Sequence, residues 1–170
     1  HNETQRMVGL AERRDAKVFN FATLYGATAY TIAEKTQKPV GVIKPLVEKW
    51  RHAYPEVAEW QEGQIYLAKR GEPVRTLDGR ARYINNRGRH GENQAVNTPI
   101  QGTAGDIGKK AVFLTPDAKP LYQLHDEVGY LVPEAEWRDY AEYIEAHLPN
   151  HVGDVPIIWE RKEKHTWRKE

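Results

Sequence analysis

Residues 13–26 read RRDAKVFNFATLYG, and this stretch decides how the first part of the chain is built. Its apolar positions recur at helical spacing, and Gly26 closes the run as a kink or cap. Arg13, Lys17, Phe21 and Tyr25 stand four residues apart, so one stripe of the helix carries two cations and then two aromatic rings. A nucleoside triphosphate needs cations on its phosphates and a flat apolar surface against its base, and the stripe offers both in that order. Spacing alone fits at least as well an amphipathic helix with Phe21 and Tyr25 in the core and the cations in water.

Outward from that stretch, helical spacing extends from Thr4 to about Glu34 with a break at Gly9, which predicts two helices. It resumes from Val42 to Arg70, interrupted at Tyr54-Pro55, for a second helical pair. Gly71-Glu72-Pro73 is turn chemistry, and Asp78-Gly79 between Val74–Leu77 and Arg80–Ile84 predicts a hairpin. Asn85 to Gly91 reads as a polar loop. Gln94 to Leu114 reads as a helix despite Pro99, Gly102, Gly105 and Gly108, whose small residues imply close packing. Leu121–Leu124 and Val128–Val132 flank His125-Asp126-Glu127 as a second hairpin with a charged tip, Glu134 to Leu148 is a helix, and Val155 to Glu160 a final strand. The fold class expected is α+β.

Composition narrows the partners less than the motifs do. The 170 residues suffice for one compact domain or two small lobes. Lys and Arg number 25 against 24 Asp and Glu, so only local clustering can announce a nucleic acid, and Arg75, Arg80, Arg82, Arg87 and Arg89 supply it. The absence of cysteine excludes a disulfide framework, thiolate metal sites and Cys nucleophiles, and fits a reducing cytosol. No apolar run approaches the roughly 18 residues of a membrane span, and no signal-peptide pattern opens the chain, so a soluble cytoplasmic protein is expected.

Two further constellations carry chemistry. Asp126 and Glu127 are adjacent carboxylates at a hairpin tip, and such a pair suits Mg²⁺, which takes one or two carboxylates together with substrate phosphates. An ordinary solvated hairpin tip has the same sequence. In the Gly-rich segment Asn93 to Asp106, Asn97, Gln101 and Thr103 could hydrogen-bond bases or sugars, whereas taken alone they read more simply as capping and packing residues.

Together these segments resemble the DNA polymerases of family A, the DNA polymerase I type. Arg13-Arg14-Asp15-Ala16-Lys17 through Asn20-Phe21 and Leu24-Tyr25-Gly26 looks like motif B, the fingers helix, and Gln123-Leu124-His125-Asp126-Glu127 looks like motif C of the palm. Between them, in the family's order, come Tyr54-Pro55-Glu56-Val57 with Trp60, Thr76-Leu77-Asp78-Gly79-Arg80, and Asn97-Thr98-Pro99-Ile100-Gln101-Gly102-Thr103-Ala104. Val155-Pro156 and Trp167 resemble the family's closing strand and near-terminal Trp. The resemblance implies helical fingers over residues 1–72 and part of a palm with antiparallel hairpins over residues 73–170.

It also implies roles. His1, Arg13 and Lys17 would bind the triphosphate, with Lys17 as general acid for pyrophosphate. Phe21 would stack near the sugar, and Tyr25 would sit at the template-base position. Asp126 would hold two Mg²⁺ ions with Glu127 in support. Arg80, Asn97, Gln101 and His125 would contact primer-template DNA. Motif A, which carries the second metal-binding aspartate, is absent, and Asp139-Tyr140-Ala141-Glu142 echoes it only superficially on an amphipathic helix. The expectation is therefore a split, phage-like enzyme whose N-terminal partner supplies motif A and thumb, with a large exposed apolar face where the missing palm strands belong. A non-catalytic remnant that binds DNA or nucleotide is the alternative. A single-subunit RNA polymerase fits less well with Phe21 and the Pro99–Ala104 segment.

Overall fold

A computed structural model describes residues 5–7, 9, 10, 12–85 and 88–163. The fold is α+β. After helical residues 5–7, the described residues run through α1 (Arg13–Leu24), α2 (Ala29–Thr36), α3 (Val40–Ala53) and α4 (Pro55–Lys69). A ribbon of β1 (Val74–Arg75) and β2 (Ala81–Arg82) leads to the long α5 (Gly88–Leu114). The hairpin β3 (Pro120–Leu124) and β4 (Glu127–Tyr130), α6 (Trp137–His147), and a last pair β5 (His151–Val152) and β6 (Val155–Pro156) complete it. All three strand pairs are antiparallel. The chain forms two compact units that divide within α5, one up to Thr103 and one from Ala104.

The first unit owes its core to the face of α1 opposite the Arg13–Tyr25 stripe. Ala16, Phe19, Ala22 and Thr23 are buried, and Phe19 is completely so, against Ile32 and Ala33 of α2 and Ile43 and Trp50 of α3. Gly26, at φ +76°, ends α1 as a cap rather than a kink. Its left-handed conformation lets Ala27 N donate to Ala22 O at 2.8 Å, which favours glycine. At the helix end Gln61 Nε2 from α4 donates to Leu24 O at 2.8 Å and to Thr23 O at 2.9 Å, the latter also accepting from Gly26 N at 3.0 Å. Asn20 accepts from Trp50 Nε1 at 3.1 Å, and Lys38 Nζ meets Asp15 Oδ2 at 2.8 Å. Pro55 opens α4, where its missing N–H costs nothing.

Asp78-Gly79 does form a turn, with Gly79 at φ +84°, but the strands it joins are two residues each. Three other expectations need correction. The stretch Asn85 to Gly91 is not all loop, because α5 already starts at Gly88, and its glycines and polar residues disguised the first turn. The Glu134–Leu148 helix begins as a 3₁₀ turn over Glu134–Glu136 and is α-helical only from Trp137 to His147. The final strand is Val155–Pro156 alone, since β5 offers it only two residues to pair with.

The second unit is built differently. Thr103 ends the first unit, and beyond it the carboxylate residue Asp106 and the small side chains of Ala111, Thr115, Ala118 and Ala141 are buried. Its large apolar side chains lie outside, with Leu121, Leu131 and Phe113 exposed by 64, 75 and 80%. Among the described residues no helix is long and apolar enough to cross a membrane.

Truncating Phe19 to Ala removes the largest fully buried side chain of the core and should cost about 3–5 kcal/mol in denaturant unfolding. A subtler effect concerns pH. Lys69 Nζ lies 2.8 Å from Glu92 Oε1, and this hydrogen bond, aided by the charges of Lys69 and Arg89 against an opposing cost of burial, holds the Glu92 carboxyl below its usual 4.5. Because the folded value is the lower one, the stabilisation is complete above pH 4.5 and fades as pH falls through the folded value. The unfolding temperatures of wild type and Glu92→Gln should therefore differ at pH 7 and converge in acid.

Candidate functional site

In the first unit the burial of Phe19 and Ala22 turns the Arg13–Tyr25 stripe outward. Arg13 and Lys17 are exposed, Phe21 is 38% exposed and Tyr25 is half-buried. The alternative with both rings in the core is thereby excluded for Phe21. The Phe21 and Tyr25 rings stack with centroids 6.1 Å apart and planes 19° apart, and Lys17 Nζ lies 6.0 Å from the Phe21 centroid. This is a strip of π-surface with a cation at one end. Gln101 Nε2 of α5 donates to the Tyr25 hydroxyl at 2.6 Å, tying the far end of the strip to α5.

The loop Thr76–Arg80 is clamped on α5 in the same unit. Thr103 Oγ1 accepts from Leu77 N at 3.0 Å and donates to Pro99 O at 2.6 Å. Thr103, buried and so engaged, is a packing residue rather than a contact for bases or sugars. Arg80 Nη2 donates to Gly102 O at 3.0 Å, Arg82 Nη1 to Thr98 Oγ1 at 3.1 Å, and Arg75 Nη1 to Gly79 O at 2.9 Å. Arg89 pairs with Glu92 at 3.3 Å. Four members of the basic cluster are therefore oriented by the protein itself, while Arg87 lies outside the described residues. Asn97 is half-buried on α5.

In the second unit His125 and Asp126 form the two-residue tip of the β3–β4 hairpin, since Leu124 pairs with Glu127. His125, Asp126 and the adjoining Glu127 of β4 are all exposed. His125 takes φ +52°, a conformation uncommon for a residue with a Cβ and one that tight turns demand. Below the tip, Gln123 lies on Gly108 of α5, where a Cβ would come within 2.3 Å of its Nε2, and Tyr130 Oη lies 2.9 Å from Thr115 Oγ1. Burial pushes the Tyr130 phenol up in pKa, partly offset by Thr115. These contacts seat one face of the hairpin on α5 and the residue that follows it. Of the glycines expected to permit close packing, Gly102 and Gly108 do so, whereas a Cβ at Gly105 would meet nothing within 4 Å.

His1 and Trp167 lie outside the described residues. Asp139 and Tyr140 sit on α6, with neighbouring Ala141 buried. Among the described residues, no group of three or more His, Cys, Asp or Glu side chains is placed to hold a metal ion, so the tip offers Asp126 and Glu127 by themselves.

Comparison with known proteins gives this arrangement its class. The sequence profile of DNA polymerase family A matches residues 2–169, and the chain belongs to that family. It is 38% identical over 147 residues to a thermostable DNA polymerase I of Thermus thermophilus, covering 79% of this chain and 17% of that protein. It is 31% identical over 171 residues to DNA polymerase I of Caldicellulosiruptor bescii, covering 91% of this chain and 20% of the relative. Among solved structures, the polymerase domain of Pol1 from M. smegmatis, in complex with DNA primer-template and dNTP, superposes with a TM-score of 0.74 at 28% identity. That match covers 85% of this chain and 28% of the other. The chain therefore spans about a fifth of the length of the curated relatives it matches.

The clamp on α5 yields a compensation test. A Cβ at Gly102 would approach Thr76 Cγ2 to 2.6 Å and Arg80 Nη2 to 3.2 Å, and Thr76 is buried with its Oγ1 held by Arg80 N at 3.2 Å. Gly102→Ala should cost roughly 1–3 kcal/mol by overpacking. Adding Thr76→Ser, which deletes Cγ2 and keeps the hydroxyl, should restore most of that loss in urea unfolding.

Proposed function

We propose that this chain is the part of a DNA-directed DNA polymerase that receives the incoming deoxynucleotide and supplies one of the two catalytic aspartates. The observation that carries this reading is the outward stripe of α1, with cations and stacked rings in the order that a triphosphate and its nucleoside require. The family membership and the primer-template and dNTP of the solved relative support it. In this reading residues 1–72 are fingers and residues 73–170 are palm.

Arg13 and Lys17, with His1, bind the triphosphate and offset the charge that builds on the departing pyrophosphate, to which Lys17 donates a proton. Phe21 packs against the sugar. Tyr25 occupies the template-base position, held there by Gln101 until the nucleotide displaces it. Arg80, Asn97, Gln101 and His125 meet the primer-template, mostly at its backbone and minor groove, as an enzyme copying any sequence requires.

The exposed carboxylates of Asp126 and Glu127 fit Mg²⁺, a hard cation that prefers oxygen ligands, keeps waters and shares its shell with substrate phosphates. Bound there with a second aspartate from motif A, the ions would activate the primer 3′-hydroxyl and stabilise the transferring phosphate. Motif A and the thumb come from the remaining portion of the polymerase, supplied by an N-terminal partner polypeptide if the enzyme is split as in a phage-like system. That portion covers Leu121, Leu131 and Phe113.

Primer extension with Mg²⁺ and dNTPs, by the polymerase as its source makes it, tests the reading. Asp126→Ala should reduce extension to background while assembly and primer-template affinity persist. Lys17→Ala should slow incorporation by roughly 10²–10⁴-fold with DNA affinity unchanged. Extension retained by Asp126→Ala would remove the metal assignment, and DNA binding without extension in the wild type would favour a non-catalytic module.

A further inference from the structure

The β3–β4 hairpin contains a device that the reading above does not use. Tyr122 stands directly across from Gly129. A Cβ on Gly129 would lie 2.1 Å from Tyr122 Cε1 and 2.3 Å from Cζ, so the phenol ring occupies the space over the one position on β4 that has no side chain. From there its hydroxyl donates to Glu127 Oε1 at 2.5 Å.

The register explains why the ring lies on this side. β3 carries an extra residue, because Pro120 pairs with Tyr130 while Tyr122 pairs with Gly129, so Leu121 is a bulge. Beyond the bulge, alternation puts Tyr122 and Leu124 with Glu127 and Gly129 on one face, and Gln123 with Val128 on the face toward α5. Tyr122 and Glu127 are then diagonal neighbours, within reach of a long aromatic side chain.

We propose that Tyr122 is a positioning residue for metal binding. It holds Glu127 Oε1 and thereby assigns Oε2 to a divalent cation shared with Asp126. This inference rests on the reading of Asp126 and Glu127 as the metal-binding pair. A carboxylate at an exposed tip otherwise samples several rotamers, and a cation must then order it on binding. A hydroxyl that fixes one oxygen removes that cost beforehand, which is how groups behind a ligand raise its affinity for a metal. Gly129 belongs to the same device, since any side chain there would displace the ring.

Tyr122→Phe keeps the ring on Gly129 and deletes only the hydroxyl. In the polymerase as its source makes it, this variant should raise the Mg²⁺ concentration for half-maximal primer extension by roughly tenfold. The KM for dNTP at saturating Mg²⁺ and the unfolding temperature should stay unchanged. Mn²⁺ affinity, read by electron paramagnetic resonance without nucleotide or turnover, should weaken by the same factor, which loss of mere packing would not produce. Gly129→Ala, which pushes the ring away, should reproduce the shift. In a Glu127→Leu background, Tyr122→Phe should have no further effect. Wild-type Mg²⁺ dependence and Mn²⁺ affinity in Tyr122→Phe, or an effect that persists beside Glu127→Leu, would overturn the proposal. Asp126→Ala in the same assays separates the two failures. If it retains metal binding and extension, the metal site itself is wrong; if it loses both while Tyr122→Phe matches wild type, only the role of Tyr122 falls.

Discussion

The burial of Phe19 is the constraint from which the nucleotide-facing surface follows. On a helix, a residue two positions away points to nearly the opposite side, so sinking Phe19 among Ile32, Ile43 and Trp50 leaves Phe21 nowhere to go but outward. Ala16, Ala22 and Thr23 extend the buried face with small side chains that let α1 approach its neighbours. Gln61 then holds the helix end by its carbonyls, and Asn20 fixes Trp50. The Arg13–Tyr25 stripe is rigid because everything behind it is packed or hydrogen-bonded, and rigidity is what a binding surface needs to avoid ordering costs when its ligand arrives.

The second unit obeys a different economy. Its interior holds alanines, a threonine and the buried Asp106 beside a glycine-backed hairpin, while Leu121, Leu124, Leu131 and Phe113 remain in water. A two-stranded ribbon is only marginally stable by itself, and here Gly108 of α5 and Thr115 just beyond the helix support one of its faces. The unspent hydrophobic free energy of the exposed side chains is available for association rather than for folding of the unit.

The elements legible in the sequence were those set by local rules. Tyr54-Pro55 placed the α3–α4 junction, Asp78-Gly79 placed the first turn, and four-residue spacing put Arg13, Lys17, Phe21 and Tyr25 on one side. Spacing could not say whether that side faced the core, because two aromatic rings suit either environment until Phe19 is seen to fill the interior. The start of α5 was missed because Gly88 and Gly91 resemble loop chemistry, and strand 155–160 was overdrawn because strand length depends on a partner that sequence does not reveal. The Tyr122–Glu127 contact was invisible for the same reason. It exists only once the bulge at Leu121 has set the cross-strand register, and bulges have no reliable local signature.

That bulge has a consequence for how the sequence can change over time. Replacing one residue of the hairpin keeps every other residue on its face. Inserting or deleting one between Leu121 and the tip rotates the residues on one side of the change to the opposite face, exchanging the surface of Tyr122 and Leu124 with that of Gln123. Replacement away from Tyr122, Asp126, Glu127 and Gly129 leaves the two faces as they are, whereas a change of length exchanges them.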